Sequence, residues 1–310
     1  SYMCVSPVAE TPPPCETCPK TALKGNPILV PTREKVELAL DLSSAGPMPL
    51  EFRRIYRSHR ARDKDIWFSG YFKGPVQSSM GVGWLHNHNI HLAVAAADTS
   101  GEIHSKSGSE SGVDVGTGPL VVRIQMGDGT FNYFYRPNTG SAFVGRNKLQ
   151  TLEFNGNRWI FNDGEAEIRY TFGLKGLLEE QVYRNGWRLV YGYNTQGVLA
   201  VVQNNFGQSL QFTYGGAPNG ALISVTSSDQ RSVSLMYADT GFLTSVRQAD
   251  GTTIQYAYSN ATAKVGSLLA GRIDEQGVRY TTFKYDAEGW ALSTEKAGGV
   301  DKYTVPTKDG

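Results

Sequence analysis

A chain of 310 residues is long enough to bury a sizeable core or to extend as a repeat array. Lys plus Arg total 30 against 29 for Asp plus Glu, a net charge of +1 with His neutral. With no local basic run, that balance argues against nucleic acid and anionic lipid as partners. The 35 glycines and 16 tyrosines, set against 5 methionines and 3 cysteines, favour pleated, half-buried surfaces joined by tight turns. The longest mostly apolar stretch, Ile90 to Ala97, contains His91 and is too short to span a bilayer. No charged-then-apolar signal segment opens the chain, so a soluble protein is expected.

Residues 1–24 are Pro-rich, with Pro12, Pro13 and Pro14 in a row, and read as a leader or linker. All three cysteines, Cys4, Cys15 and Cys18, lie there. The Cys15-x-x-Cys18 spacing suits a metal knuckle or a redox pair. A closed zinc site needs four ligands, however, and a redox site needs a βαβ context; neither accompanies it. Local pairing, or pairing outside the chain, is the expected fate of these thiols. From Val36 through Leu38, Leu40 and Leu42, and again from Leu50 through Phe52, Arg54 and Tyr56, the period of two predicts strands, broken by Pro47 and Pro49. His59 to Ser79 reads as an irregular loop anchored by Trp67, Phe68, Tyr71 and Phe72. Thr99 to Gly118, rich in Ser and Gly, reads as a mobile excursion between strands.

Hairpin signals follow. Val122, Ile124 and Met126 enter Gly127-Asp128-Gly129, and Phe131, Tyr133 and Tyr135 leave it. Asn155-Gly156 separates Leu152 and Phe154 from Trp159 and Phe161, and Asp163-Gly164 precedes Ile168, Tyr170 and Phe172. Helical signal is scarce; Leu177 to Val182 could form one turn at most. The second half then repeats. Tyr193 leads to Gly197, Leu199 and Val202; Tyr237 leads to Gly241, Leu243 and Val246; Tyr285 leads to Gly289. With Tyr214 and Tyr258, the tyrosines recur at intervals of about twenty residues, lengthened at the end by an insertion between Ser259 and Leu268. Each copy reads as a β-hairpin in which Tyr ends one strand and Leu opens the next. A lone hairpin cannot hide its apolar face, so neighbours must stack.

These residues resemble a known family. Tyr285-Asp286 followed by Gly289, with the looser copies before it, is similar to the YD repeats of bacterial Rhs proteins and animal teneurins. Gly25-Asn26-Pro27-Ile28, Thr32-Arg33-Glu34-Lys35, Asp41-Leu42, Pro49-Leu50, Phe52-Arg53-Arg54 and Tyr56 resemble the domain that commonly precedes those repeats. So does Met80-Gly81-Val82-Gly83-Trp84-Leu85-His86-Asn87. The resemblance runs from about Gly25 to Gly299. It implies an all-β fold of stacked antiparallel hairpins forming a curved sheet or partial shell. The implied division is a leader at 1–24, an N-terminal Rhs-associated β domain at 25–165, and YD-type hairpin repeats at 166–310. In that family the sheet spirals into a hollow cocoon, often around a C-terminal toxin. A handful of repeats is too few, by resemblance, to close a cocoon, and no residue here inherits autoproteolytic or toxic activity.

Candidate sites are few. His86, His88 and His91 form the one histidine cluster. On a strand, His86 and His88 would share a face and could hold zinc or copper with a third ligand, but no carboxylate or cysteine stands at metal spacing, and a solvated or hydrogen-bonded strand face is expected. The serines of Ser105 to Gly112 lack a nucleophile-elbow context. Asp163, Glu165, Glu167, Glu179 and Glu180 sit near turns and read as solvated acids, although a glycosidase pair could hide among them. The tyrosines could stack on sugar rings or pack between hairpins, and their recurrence at one position favours packing. The expectation is therefore a non-catalytic structural and interaction module, with no catalytic, cofactor-binding or metal-binding residue and no cofactor. Its partners would be protein cargo such as a toxin domain, and secretion machinery, with a secreted or cell-surface bacterial location. The alternatives are a carbohydrate-binding or adhesive module taking a cell-surface glycan and, last, a hydrolase of surface polymers.

Overall fold

The computed structural model describes residues 23–24, 27–62, 72–75, 80–101, 103, 118–216, 220–259 and 266–306. It is an all-β protein of antiparallel sheets. The described residues divide between two compact units, one built mainly from 88–209 and the other from 27–62, 80–87 and 210–306.

The second of these opens with a five-stranded sheet in chain order: β1 (Leu23–Lys24), β2 (Ile28–Leu29), β3 (Glu34–Ser43), β4 (Glu51–Arg57) and β5 (Trp84–His86). The predicted apolar run along β3 is split: Val36 is buried with Ile55 and Leu85, but Leu38 is 57% and Leu40 49% exposed. Glu34, Lys35, Glu37 and Asp41 are buried instead. A register shift between Leu40 and Leu42 in the pairing with β4 then returns Leu42 to the interior. One short helix, α1 (Ser58–Arg62), follows β4 and corrects the expectation of an irregular loop from His59. Trp67, Phe68 and Tyr71 lie outside the described residues, as do Gly25 and Asn26.

The other unit begins with a four-stranded sheet, β6 (His91–Ala96), β7 (Leu120–Gln125), β8 (Phe131–Arg136) and β9 (Val144–Gly145). Gln125 pairs with Phe131 across the predicted Gly127-Asp128-Gly129 turn. Next come the hairpin strands β10 (Gln150–Phe154), β11 (Arg158–Asp163), β12 (Ile168–Gly173), β13 (Leu178–Tyr183), β14 (Arg188–Tyr193) and β15 (Leu199–Asn204). The segment read as one possible helical turn, Leu177 to Val182, is strand β13. Leu178 and Gln181 are buried in it, and its edges pair with β12 and β14, so ladder bonding overrides a weak local preference. Phe72 is an anchor as expected, its ring 6.2 Å from Tyr133 and 4.2 Å from the Arg123 guanidinium.

Nine further strands complete the 27–62 unit: β16 (Ser209–Tyr214), β17 (Leu222–Ser227), β18 (Ser232–Tyr237), β19 (Leu243–Arg247), β20 (Thr253–Tyr258), β21 (Leu269–Ile273), β22 (Arg279–Tyr285), β23 (Ala291–Lys296) and β24 (Tyr303–Thr304). Strands β10 to β24 follow chain order in one fifteen-stranded antiparallel sheet. The repeat is visible in its register. Tyr193, Tyr214, Tyr237, Tyr258 and Tyr285 each end a strand opposite the residue that opens the next, namely Leu199, Leu222, Leu243, Leu269 and Ala291, with a register shift at each tyrosine. Phe172 opposite Leu178 has the same geometry, one copy earlier than tyrosine spacing reveals.

Candidate docking site for the N-terminal sheet

The repeat motif has a physical explanation. Tyr193, Tyr237, Tyr258 and Tyr285 donate their hydroxyl protons to the carbonyls of Leu178, Leu222, Leu243 and Leu269, at 2.8, 2.6, 2.8 and 2.8 Å. Each tyrosine thus reaches back to the leucine opening an earlier strand and satisfies a backbone acceptor there. The next residue shapes the turn. The Asp286 carboxylate accepts the amides of Glu288 and Trp290 at 3.1 and 2.9 Å, and Gly289 supplies φ of +81°. Asn194 and Asp274 do the same in their turns.

Against the repeat strands β18 to β23 sits the β1–β5 sheet of the same unit, joined by buried charge. Arg54 forms a bidentate pair with Asp41, at 2.9 Å for the Nη2–Oδ1 bond, and donates at 2.8 Å to the Tyr256 hydroxyl. Gln248 donates to Asp41 at 2.8 Å, and the Arg54 guanidinium lies 5.2 Å from the Trp84 ring. Burial alone would lower the guanidinium's pKa, but Tyr256 and Asp41 outweigh it and leave it raised. Glu37 bridges Lys35 at 2.7 Å and Arg272 at 2.8 Å. Burial pulls the Lys35 ammonium down to about 8 despite Glu37, and its Nζ stands 4.0 Å from the Phe283 ring centre. Arg57 pairs with Glu34 at 2.5 Å inside the N-terminal sheet.

The Met80 to Asn87 motif acts as a clasp. A Cβ on Gly81 would stand 2.9 Å from the Leu243 amide, and one on Gly83 would stand 2.5 Å from the Tyr56 ring; both glycines have φ above +80°. Their absent side chains let the loop lie against the repeat turn and against β4. Trp84 then donates its indole N–H to the Tyr258 hydroxyl at 3.0 Å, and the Tyr56 hydroxyl accepts the Leu269 amide at 2.9 Å. Asn87 exchanges bonds with the Arg53 amide and the Glu51 carbonyl, fastening the clasp to β4.

The histidine cluster is corrected by this arrangement. β5 ends at His86 and β6 starts at His91, in different sheets, so strand alternation does not relate the three side chains. The His86 ring packs 5.6 Å from Phe52 and 5.4 Å from Phe212. His88 Nδ1 lies 3.2 Å from the Tyr191 hydroxyl, which also accepts from Gln181 at 2.6 Å. Among the described residues no group of three or more His, Cys, Asp or Glu is placed to hold a metal ion. The turn acids are engaged singly. Asp163 accepts the amides of Glu165 and Ala166, Glu167 pairs with Arg184, Glu179 with Arg158 at 2.6 Å, and Glu180 with Arg188 at 3.4 Å. Cys4, Cys15, Cys18 and the run Ser105 to Gly112 lie outside the described residues.

Arg54, Asp41, Lys35 and Glu37 were legible as members of strands and motifs but not as a buried row. The signal was there: Lys35, Glu37 and Asp41 alternate with Val36, Leu38 and Leu40, with Ala39 the one uncharged residue on their side of the strand. The N-terminal part that docks in this way lies within the segment that matches a family model. Residues 25–112 match the model of a domain of unknown function (DUF6531). No curated protein matches the chain. Similar solved structures include the TcdB2–TccC3–Cdc42 complex (12% identity, 84% of this chain, TM-score 0.33) and the TcdB2–TccC3–TEV form (10%, 84%, 0.34). A third is the Photorhabdus luminescens Tc holotoxin pore carrying TccC3-D651A (11%, 85%, 0.23). This chain spans 14%, 15% and 20% of those chains. No described helix is long and apolar enough to cross a membrane.

Proposed function

We propose that this chain is a non-catalytic wall segment of an Rhs-type β-shell, in which stacked YD-type hairpins enclose or present a protein cargo such as a toxin outside the cell. The observation that carries this reading is the repeated hydroxyl-to-carbonyl bond, in which each repeat tyrosine completes the backbone bonding of an earlier strand. Such a residue extends a sheet hairpin by hairpin. The DUF6531 match at 25–112, ahead of the repeats, supports the same order of parts. On this reading residues 25–165 form the leading domain and 166–310 the first repeats, the partners are the enclosed protein and the machinery that exports it, and the location is secreted or surface-displayed.

The test is to recover the protein from its producing cells with an antibody against this segment and to treat the material with protease. The expected result is a band several-fold larger than these 310 residues, together with a polypeptide that resists digestion until the sheet is denatured. A band at the size of the 310 residues with no protected polypeptide would overturn the enclosure reading and favour surface-ligand binding.

A further inference from the structure

The contacts between the N-terminal sheet and the repeats follow the order of the repeat strands, and each is made with a different side chain. Moving backward along the chain from Ser43, its carbonyl accepts from Arg231, at the entrance to β18, at 2.6 Å. Asp41 accepts from Gln248, at the exit of β19, and its partner Arg54 reaches Tyr256 in β20. Glu37 pairs with Arg272 in β21, and Lys35 lies over Phe283 in β22. Arg33 pairs with Asp286 in the turn after β22 at 2.8 Å, while its carbonyl accepts the Ala291 amide of β23 at 2.8 Å. Ile28 then packs with Ala291 and Val305. Six consecutive repeat strands, β18 to β23, are met in strict reverse order. Two residues of a strand advance roughly 6.7 Å and neighbouring strands stand about 4.8 Å apart, so a strand crossing the repeats obliquely meets a new one at every second residue.

We infer that the segment Ile28–Ser43 is a ruler: Arg33, Lys35, Glu37 and Asp41, with Arg54, are specificity-determining contacts that fix which repeat strands lie beneath the N-terminal sheet and in what order. The repeats differ little in their Tyr, Gly and Leu pattern, so an apolar strand could settle one hairpin to either side at small cost. Here each polar position meets a different chemistry: a glutamine, a tyrosine hydroxyl, an arginine, a phenylalanine face and an aspartate. A slip by one strand would carry the Arg54–Asp41 and Lys35–Glu37 pairs along intact but would part Arg272 from Glu37, Asp286 from Arg33, and Tyr256 and Gln248 from Arg54 and Asp41.

The test is a charge-neutralising cycle in the full chain at the rim pair, whose side chains are 30% and 23% exposed: Arg33→Gln, Asp286→Asn, which keeps an oxygen to accept the two turn amides, and both together. Amide hydrogen exchange across β21 to β23 is the readout. Each single change is expected to raise exchange about tenfold and the double change to raise it no further than the larger single. Singles without effect, or a double whose loss is the sum of the two singles, would overturn the ruler. Because the cycle reads pairing alone, its failure leaves the enclosure reading standing, and an empty shell would leave the ruler standing.

Discussion

Tyr237 ends its strand with its hydroxyl on the Leu222 carbonyl and its ring mostly buried. Replacing it with Phe removes the donor and keeps the ring, so the expected cost in denaturant unfolding is about 1–2 kcal/mol, the price of one orphaned acceptor. Alkaline pH probes the same residues together. Burial raises the pKa of Tyr56, Tyr237, Tyr258 and Tyr285, so the unfolded chain releases these protons first. Their contribution is complete below the ordinary tyrosine value of 10.0 and is lost as pH rises beyond it. Lys35 runs the other way. Its value is lowered from 10.5 to about 8 by burial, so its contribution is present above 10.5 and lost as pH falls through 8. Melting temperature followed from pH 7 upward should therefore gain from Lys35 before the tyrosines reverse the trend, and Lys35→Met should abolish the gain. Glycine offers a sharper contrast. A Cβ on Gly176 would lie 1.9 Å from the Leu92 carbonyl oxygen, whereas one on Gly186 meets nothing within 4 Å, and both have φ above +80°. Gly186→Ala should cost about 1 kcal/mol from backbone strain alone, and Gly176→Ala several-fold more.

β3 shows what a strand's sequence does and does not declare. Its alternation is plain, and so is the strand; which face turns inward is not, because the inward face is the charged one and its partners lie far along the chain. The hairpins were legible for the opposite reason: Asx, Gly, Tyr and Leu act within one turn of one another. Local chemistry was readable, and recognition at long range was not. That His86 and His88 do not share a strand was hidden, because a strand end after His86 cannot be seen in a run of polar residues. The buried row also sets a prediction for the element. Arg54→Leu leaves the buried Asp41 carboxylate without its guanidinium, with Gln248 still donating to it, and should cost about 3–5 kcal/mol in denaturant unfolding, whereas Arg54→Met with Asp41→Leu should cost far less.

At the scale of the molecule, stacked hairpins touch their neighbours, so their stability approximates a sum along the sheet. The docked N-terminal sheet breaks that rule for β18 to β23. Arg54→Leu should therefore raise hydrogen exchange throughout β18 to β23 while leaving β10 to β13 near their original rates. Uniform loss of protection along all the strands would argue instead for a single cooperative sheet in which docking has no local reach.

The row of buried charge has a consequence in time. Arg54 and Tyr256 are separated by 202 residues, so at ordinary ribosomal speeds of about 5–20 residues per second the first waits roughly 10–40 seconds for the second to be made. A nascent strand with an apolar inner face would spend that interval sticky. Lys35, Glu37, Asp41 and Arg54 break up the inner side of β3 and β4, beside Phe52 and Tyr56, with groups that water can solvate until the matching hairpins emerge from the ribosome.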